Sequence, residues 1–274
     1  MRAWDNGGHG TAVVISNGLG TPHDAWPSIN GKPDLYRVVT WDHRGLGGSG
    51  RPSDESRITI ADHTDDLLAV MDSYGLDSAV VIGWSAGVNI AFEAALREPG
   101  RITGVLAVAG VPGGSFEALL HPLPAVLRRP AGRVGSHLMR YLGPVLNRLG
   151  DAMPGSPESG FAPQGIGTLG LDLAHATMLA TVLRRFADHD WPWYSRLVRA
   201  VGDHPPMDLT RIDIPVTYLA GRWDSVTSAT SMREASRHTP HSRYVELAAT
   251  HFVPLQFPGR MSTELADLVD RCRI

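Results

Sequence analysis

The run Ala79-Val80-Val81-Ile82 has no polar residue to alternate with its apolar ones. A strand of that kind must be covered on both faces, as the strands of a parallel sheet are. Residues 104–109 repeat the pattern, and residues 11–16, 36–41, 215–220 and 243–247 read as further strands. Helical patterns lie between them. Residues 59–74 place Leu67, Val70, Met71 and Tyr74 on one face, with acids in the first turns. Residues 86–97 form a second helix, ended by Pro99-Gly100, and residues 228–238 and 258–271 read as two more. Strands alternating with helices predict an α/β protein with a doubly wound, mostly parallel sheet.

The alternation breaks between residues 111 and 207. Strand signals there are few, and Pro/Gly clusters such as Ala152-Met153-Pro154-Gly155-Ser156-Pro157 separate helical patches at 138–149 and 171–186. The expected organisation is a core of residues 1–110 and 208–274, carrying a helical cap or lid at 111–207. A length of 274 residues suits one α/β domain with an insertion. Hydrophobic residues at 43% and charged residues at 19% supply a core and exclude general disorder. A net charge of -3 argues against nucleic acid as a partner. Cys272, the single cysteine, cannot form an internal disulfide. No apolar run reaches the ~18 residues of a spanning helix, and the first residues lack a signal-peptide core. The expectation is a cytoplasmic protein without integral membrane association.

The sharpest local signal sits where the run at 79–82 meets the helix at 86. Gly83-Trp84-Ser85-Ala86-Gly87 fits the G-x-S-x-G turn, in which a serine stands at a tight strand-to-helix junction. Unpaired N–H groups and the positive end of the helix dipole face it there. The turn needs small neighbours, which Gly83, Ala86 and Gly87 supply. A serine hydroxyl is a weak nucleophile and needs a base and an orienting acid. In such sites these follow in the order serine, acid, histidine, on loops after later strands. Asp224 follows the strand at 215–220 and His251 the strand at 243–247. Asp203, Asp208 and Asp213, and likewise His238 and His241, precede those strands instead. The candidate catalytic residues are therefore Ser85, Asp224 and His251. The candidate oxyanion donors are the Ala86 N–H and, from Asn17-Gly18-Leu19-Gly20-Thr21, the Leu19 N–H.

With these residues in place the chain resembles the α/β-hydrolase superfamily over nearly its whole length apart from the insertion. The similarity includes Asp42-His43-Arg44-Gly45-Leu46-Gly47-Gly48-Ser49, like the family's D-x-R-G-x-G-x-S segment, together with Ala220-Gly221-Arg222-Trp223-Asp224 and Thr250-His251-Phe252-Val253-Pro254-Leu255. Many members carry His-Gly where this chain has Asn17-Gly18. The stretch Ser16-Asn17-Gly18-Leu19-Gly20-Thr21 is similar to the Asn-Ser-Leu-Gly-Thr loop of enol-lactonases of aromatic degradation. The resemblance implies a serine hydrolase that cleaves a carboxylic ester, thioester or lactone of small to medium hydrophobic substrates, with no metal or organic cofactor. Other readings on the same fold are an enol-lactonase, a hydrolase of carbon–carbon bonds, a cofactor-free perhydrolase and a non-catalytic ligand receptor.

Asn17, Trp84 and Trp191 are the candidate substrate contacts. Trp191, Trp193 and Tyr194 either line an acyl pocket or anchor the cap to the sheet domain. Two further patterns read as structural. Gly45-Leu46-Gly47-Gly48-Ser49-Gly50 matches G-x-G-x-x-G, but Arg51-Pro52-Ser53-Asp54 follows where a dinucleotide site would open a helix. Asp188-His189-Asp190 with His175 lacks a metal-ligand spacing.

Overall fold

The computed structural model describes residues 1–119, 123–152 and 188–273. Seven strands form one sheet: β1 Ala3–Asp5, β2 Thr11–Ser16, β3 Tyr36–Trp41, β4 Ala79–Trp84, β5 Ile102–Val108, β6 Val216–Gly221 and β7 Ser242–Leu247. Their order is β1-β3-β2-β4-β5-β6-β7. Every neighbouring pair is parallel except β1, which runs antiparallel to β3. The helices are α1 Pro27–Asn30, α2 Ile60–Ser73, α3 Ala86–Arg97, α4 Ser115–Ala118, α5 Ala125–Ala152, α6 Trp191–Asp203, α7 Ala229–His238, α8 Val253–Gln256 and α9 Pro258–Arg271.

The unbroken apolar runs are explained by the two layers. Val14, Val39, Val81 and Val105 join one core with Leu67 and Met71 of α2 and Ile90 of α3. Their neighbours Val13, Val38, Val80 and Leu106 join a second core with Ile29 of α1 and Leu265 and Leu268 of α9. Successive side chains point to opposite faces, so a strand covered twice has no room for alternation.

Helix α2 starts on a capping box: Thr59 accepts from the Asp62 N–H, and the Asp62 carboxylate accepts from the Thr59 N–H. Arg44 ties the loop after β3 to that helix. Its guanidinium spans both oxygens of Asp66 and donates to the carbonyls of Arg57 and Asp62.

The described residues between β5 and β6 hold helices and no strand. The helical reading at 138–149 covers part of a longer element, the 28-residue α5. Trp191 of α6 lies against Gly143 of α5, where a methyl group would collide with the indole. The reading of 171–186 as a helix, and His175, lie outside the described residues. No described helix is long and apolar enough to cross a membrane.

Helix α3 approaches β2 and β4 more closely than side chains would allow. A methyl at Gly87 would run into the Ser16 carbonyl, and one at Gly83 would meet the backbone of Gly87 and Val88. The contact is backbone against backbone, so little can yield. Gly87→Ala is expected to destabilise the chain by about 1–3 kcal/mol. A lowered urea midpoint with an unchanged slope is the predicted result; an unaltered midpoint contradicts this packing.

A second expectation concerns acid. His43 and His63 are buried with their rings edge-on, centroids 5.2 Å apart. Burial pushes both imidazoles down, His63 well below the ordinary histidine value. The folded chain keeps them neutral where the unfolded chain, at about 6.5, takes up protons. Their contribution is full above that value and is lost as the pH falls towards the folded-state pKa, by about 1.4 kcal/mol per pH unit for each histidine. His63→Phe is expected to remove about one proton from the pH dependence of stability between about pH 6 and about pH 5, read by urea melts. An unchanged dependence counts against the neutral pair.

Candidate active site

Ser85 stands between β4 and α3 at φ 55° and ψ −116°. A non-glycine residue with positive φ is strained, and such strain persists only where the surroundings over-determine it. Here they do. The Ser85 N–H is held by the Val108 carbonyl at 2.9 Å, and the Ser85 carbonyl accepts the Val88 N–H at 3.1 Å. The small residues on either side admit the crossing of α3 over the sheet.

The loops after β6 and β7 are stitched together. Arg222 N–H donates to the Leu247 carbonyl and Trp223 N–H to the Ala249 carbonyl. Gly221 passes so close to Ala249 and Thr250 that a methyl there would meet both carbonyls. The stitching sets Asp224 against His251, with Nδ1 and Oδ2 2.8 Å apart. The Asp224 side chain has no solvent exposure. Its other oxygen accepts the N–H groups of Val226 at 2.7 Å and Thr227 at 2.8 Å. A carboxylate held in this way is fixed in orientation. With Nδ1 engaged, Nε2 is the ring nitrogen left for another partner. The Trp84 indole N–H donates to the His251 carbonyl at 3.1 Å, which joins the residue before Ser85 to the histidine loop.

The loop after β2 lies on the other side of Ser85. The side chain of Ser85 sits 3.5 Å from where a Cβ at Gly18 would be. Three successive carbonyls of this loop are tied back. Asn17 C=O accepts from His43 Nε2 at 2.8 Å, Gly18 C=O from the Thr21 N–H at 3.0 Å, and Leu19 C=O from the Tyr194 hydroxyl at 3.4 Å. In a trans peptide the N–H points opposite its C=O. The N–H groups of Gly18, Leu19 and Gly20 are therefore turned away from those partners.

Three side chains expected to touch substrate make contacts within the fold. Asn17 is buried, donating to Thr40 Oγ1 at 2.9 Å and accepting from the Trp26 indole at 2.6 Å. Trp84 turns to the second core, where it meets Trp26 edge-on at 5.7 Å. Trp191 is closed between α5 and α6, its indole donating to Asn147 Oδ1 at 2.6 Å. Trp193 is an anchor: it donates to the Arg44 carbonyl at 3.0 Å, with the guanidinium groups of Arg51 and Arg196 over its ring.

The glycine-rich stretch at 45–50 is a turn closed on Asp42, which accepts the Gly48 N–H, and the next helix opens only at Ile60. Asp190 caps α6 and pairs with Arg51, while His189 packs against Gly20. Beside the loop after β2 lies a cleft of about 390 Å³, bordered by Gly20, Thr21, His43, Leu46 and His189. In the sequence His43 is part of the Asp42–Ser49 segment, His189 is part of a pattern that reads as structural, and Tyr194 reads equally as pocket lining or anchor. The aromatic cluster at 191–194 is the signal that points to Tyr194.

Residues 11–138 match the family model described as alpha/beta hydrolase fold. The chain is 39% identical over 99 residues to the putative carbamate hydrolase RutD of Caulobacter vibrioides, a stretch covering 36% of each chain. It is 31% identical over 120 residues to epoxide hydrolase B of Mycobacterium tuberculosis, covering 39% of this chain and 33% of that one. The chain thus spans about a third of the length of these curated relatives. The enol-lactonase of Burkholderia xenovorans LB400 superposes with a TM-score of 0.77 at 21% identity, over 98% of this chain and 96% of the other. A parallel sheet flanked on both faces, a family match through its first half and a superposition along its whole length agree: this chain has the alpha/beta hydrolase fold.

Proposed function

We propose that the protein is a serine hydrolase that transfers the acyl group of a small to medium hydrophobic ester, thioester or lactone to water through Ser85, with residues 111–207 as its cap. The observation that carries this reading is the strained Ser85 turn together with a hydrogen-bonded Asp224–His251 pair, whose histidine the Trp84 indole joins to the residue before Ser85. Ser85 Oγ attacks the carbonyl carbon while His251 Nε2 takes its proton. The carbonyl electron pair moves onto oxygen, where the N–H groups of Leu19 and Ala86 receive the charge. Collapse expels the alcohol, thiol or ring oxygen, which takes the proton from His251. Water then attacks the acyl-enzyme, giving a proton to His251, and collapse breaks the bond to Ser85 Oγ, which takes that proton back as the acid leaves. Asp224 holds the imidazole and stabilises it when charged. Every group in this scheme is an amino-acid residue of the chain or water.

The chemistry of the nucleophile sorts the relatives' names. A serine opening an epoxide would form an ether, which water does not release, whereas a carbonyl substrate forms an acyl-enzyme that turns over. Carbamate cleavage uses the same acyl-transfer steps, so it belongs among the substrates to test. A second reading, lactone cleavage, is favoured by the loop Asn17-Gly18-Leu19-Gly20-Thr21 and by the superposition on an enol-lactonase.

Ser85→Ala is expected to lower kcat on p-nitrophenyl butyrate by about a thousandfold or more with the urea midpoint little changed. Full activity in that variant overturns the assignment. Asp224→Asn is expected to lose about 10³–10⁴ in kcat, because it removes the charge that holds the imidazole tautomer. A panel of ester, thioester, lactone, carbamate and epoxide, compared by kcat/KM, assigns the substrate class. Turnover of the epoxide alone, or of nothing, contradicts the acyl-transfer reading.

A further inference from the structure

Tyr194, on α6, crosses from the insertion to the loop after β2. It is buried, and its hydroxyl donates to the Leu19 carbonyl at 3.4 Å. Its ring stacks on His189, centroids 4.8 Å apart and planes 9° from parallel. The His189 imidazole in turn rests on Gly20, whose φ of +75° and lack of a side chain leave the space it fills. Burial pushes His189 down to about 4, so the ring packs there as a neutral group.

Leu19 lies between two peptide planes, and each is held by a different part of the molecule. The plane before it is fixed by the bond from the Thr21 N–H to the Gly18 carbonyl, within the loop itself. The plane after it is fixed by Tyr194, from the insertion. Peptide units are rigid, so the Thr21 bond sets the plane that carries the Leu19 N–H, the Tyr194 bond sets the next plane, which carries the Gly20 N–H, and the two together fix φ and ψ of Leu19. Without the Tyr194 bond, only one of the two planes is held.

We propose that Tyr194 is a positioning residue for the oxyanion loop: its bond to the Leu19 carbonyl, with the His189 ring braced on Gly20, holds the peptide that follows the Leu19 donor and so keeps the loop in register beneath the reacting carbonyl. The proposal rests on the acyl-transfer reading above. It makes the docking of α6 a condition for catalysis: displacement of the helix releases the peptide that follows the donor. The donor faces charge only when the carbonyl oxygen becomes an oxyanion, so the loss should fall on kcat and spare KM.

The test is Tyr194→Phe, which removes the hydroxyl and keeps the stack. On p-nitrophenyl butyrate, kcat is expected to fall about tenfold, with KM within about twofold. Inhibition by an alkyl trifluoromethyl ketone, which becomes a tetrahedral oxyanion on a serine, should weaken by the same factor as kcat/KM, with Tm little changed. Trp193→Phe serves as the comparison, because it removes a different anchor of the same helix, the bond to the Arg44 carbonyl. It is expected to leave kcat and the ketone affinity near those of the wild type. Wild-type kcat and ketone affinity in Tyr194→Phe overturn the proposal. So does a rise in KM alone, or an equal loss in Trp193→Phe, which would reduce Tyr194 to one anchor among several. A wild-type protein that turns over no ester removes the acyl-transfer reading itself, whereas an active wild type with an unaffected Tyr194→Phe removes only this inference.

Discussion

The backbone contact of α3 against β2 and β4 governs the rest. Gly87 meets the Ser16 carbonyl and Gly83 meets the first turn of α3, at distances no side chain permits. That approach forces the chain to turn within one residue, and the residue at the turn takes a positive φ. The cost of such strain, about 1–3 kcal/mol, is borne by the two apolar layers on either side of the sheet. The return is a hydroxyl set at the start of a helix, among backbone donors.

The other candidate groups are placed by backbone bonds between loops. Two N–H···O=C bonds and the close passage of Gly221 hold the turns after β6 and β7 together, and only then do Asp224 and His251 meet. On the opposite side, His43 and Tyr194 reach in from separate elements to hold the carbonyls of the loop after β2. The site is thus a meeting of loops whose hydrogen-bonding is completed by distant segments. This explains why it is built where neighbouring parallel strands end.

How legible the molecule is from sequence depends on how local each determinant is. Fully buried strands announce themselves, and helices α3 and α9 fall on the residues read for them. β4 runs two residues further than its apolar run suggests. Gly83 looks like a breaker, yet it pairs in register with Ser16 and Ala107. β1 is three half-buried residues on a sheet edge and leaves no pattern. The helical patch at 138–149 is only part of α5, which continues past Pro130, and Gly132 and Gly143 admit Phe116 and Trp191. The order serine, acid, histidine was readable because each residue follows a strand. The work of Asn17 was not, because its partners Thr40 and Trp26 are set by the fold and not by neighbours in the chain.

The central claim is that the constrained hydroxyl of residue 85 is made reactive by the imidazole that Asp224 holds. The direct measurement is mass-spectrometric mapping after reaction with an alkyl fluorophosphonate, in the wild type and in His251→Ala. The account predicts one adduct per chain, on Ser85, formed far more slowly when the imidazole is absent. An adduct on another residue, or labelling of Ser85 at the same rate without His251, contradicts it.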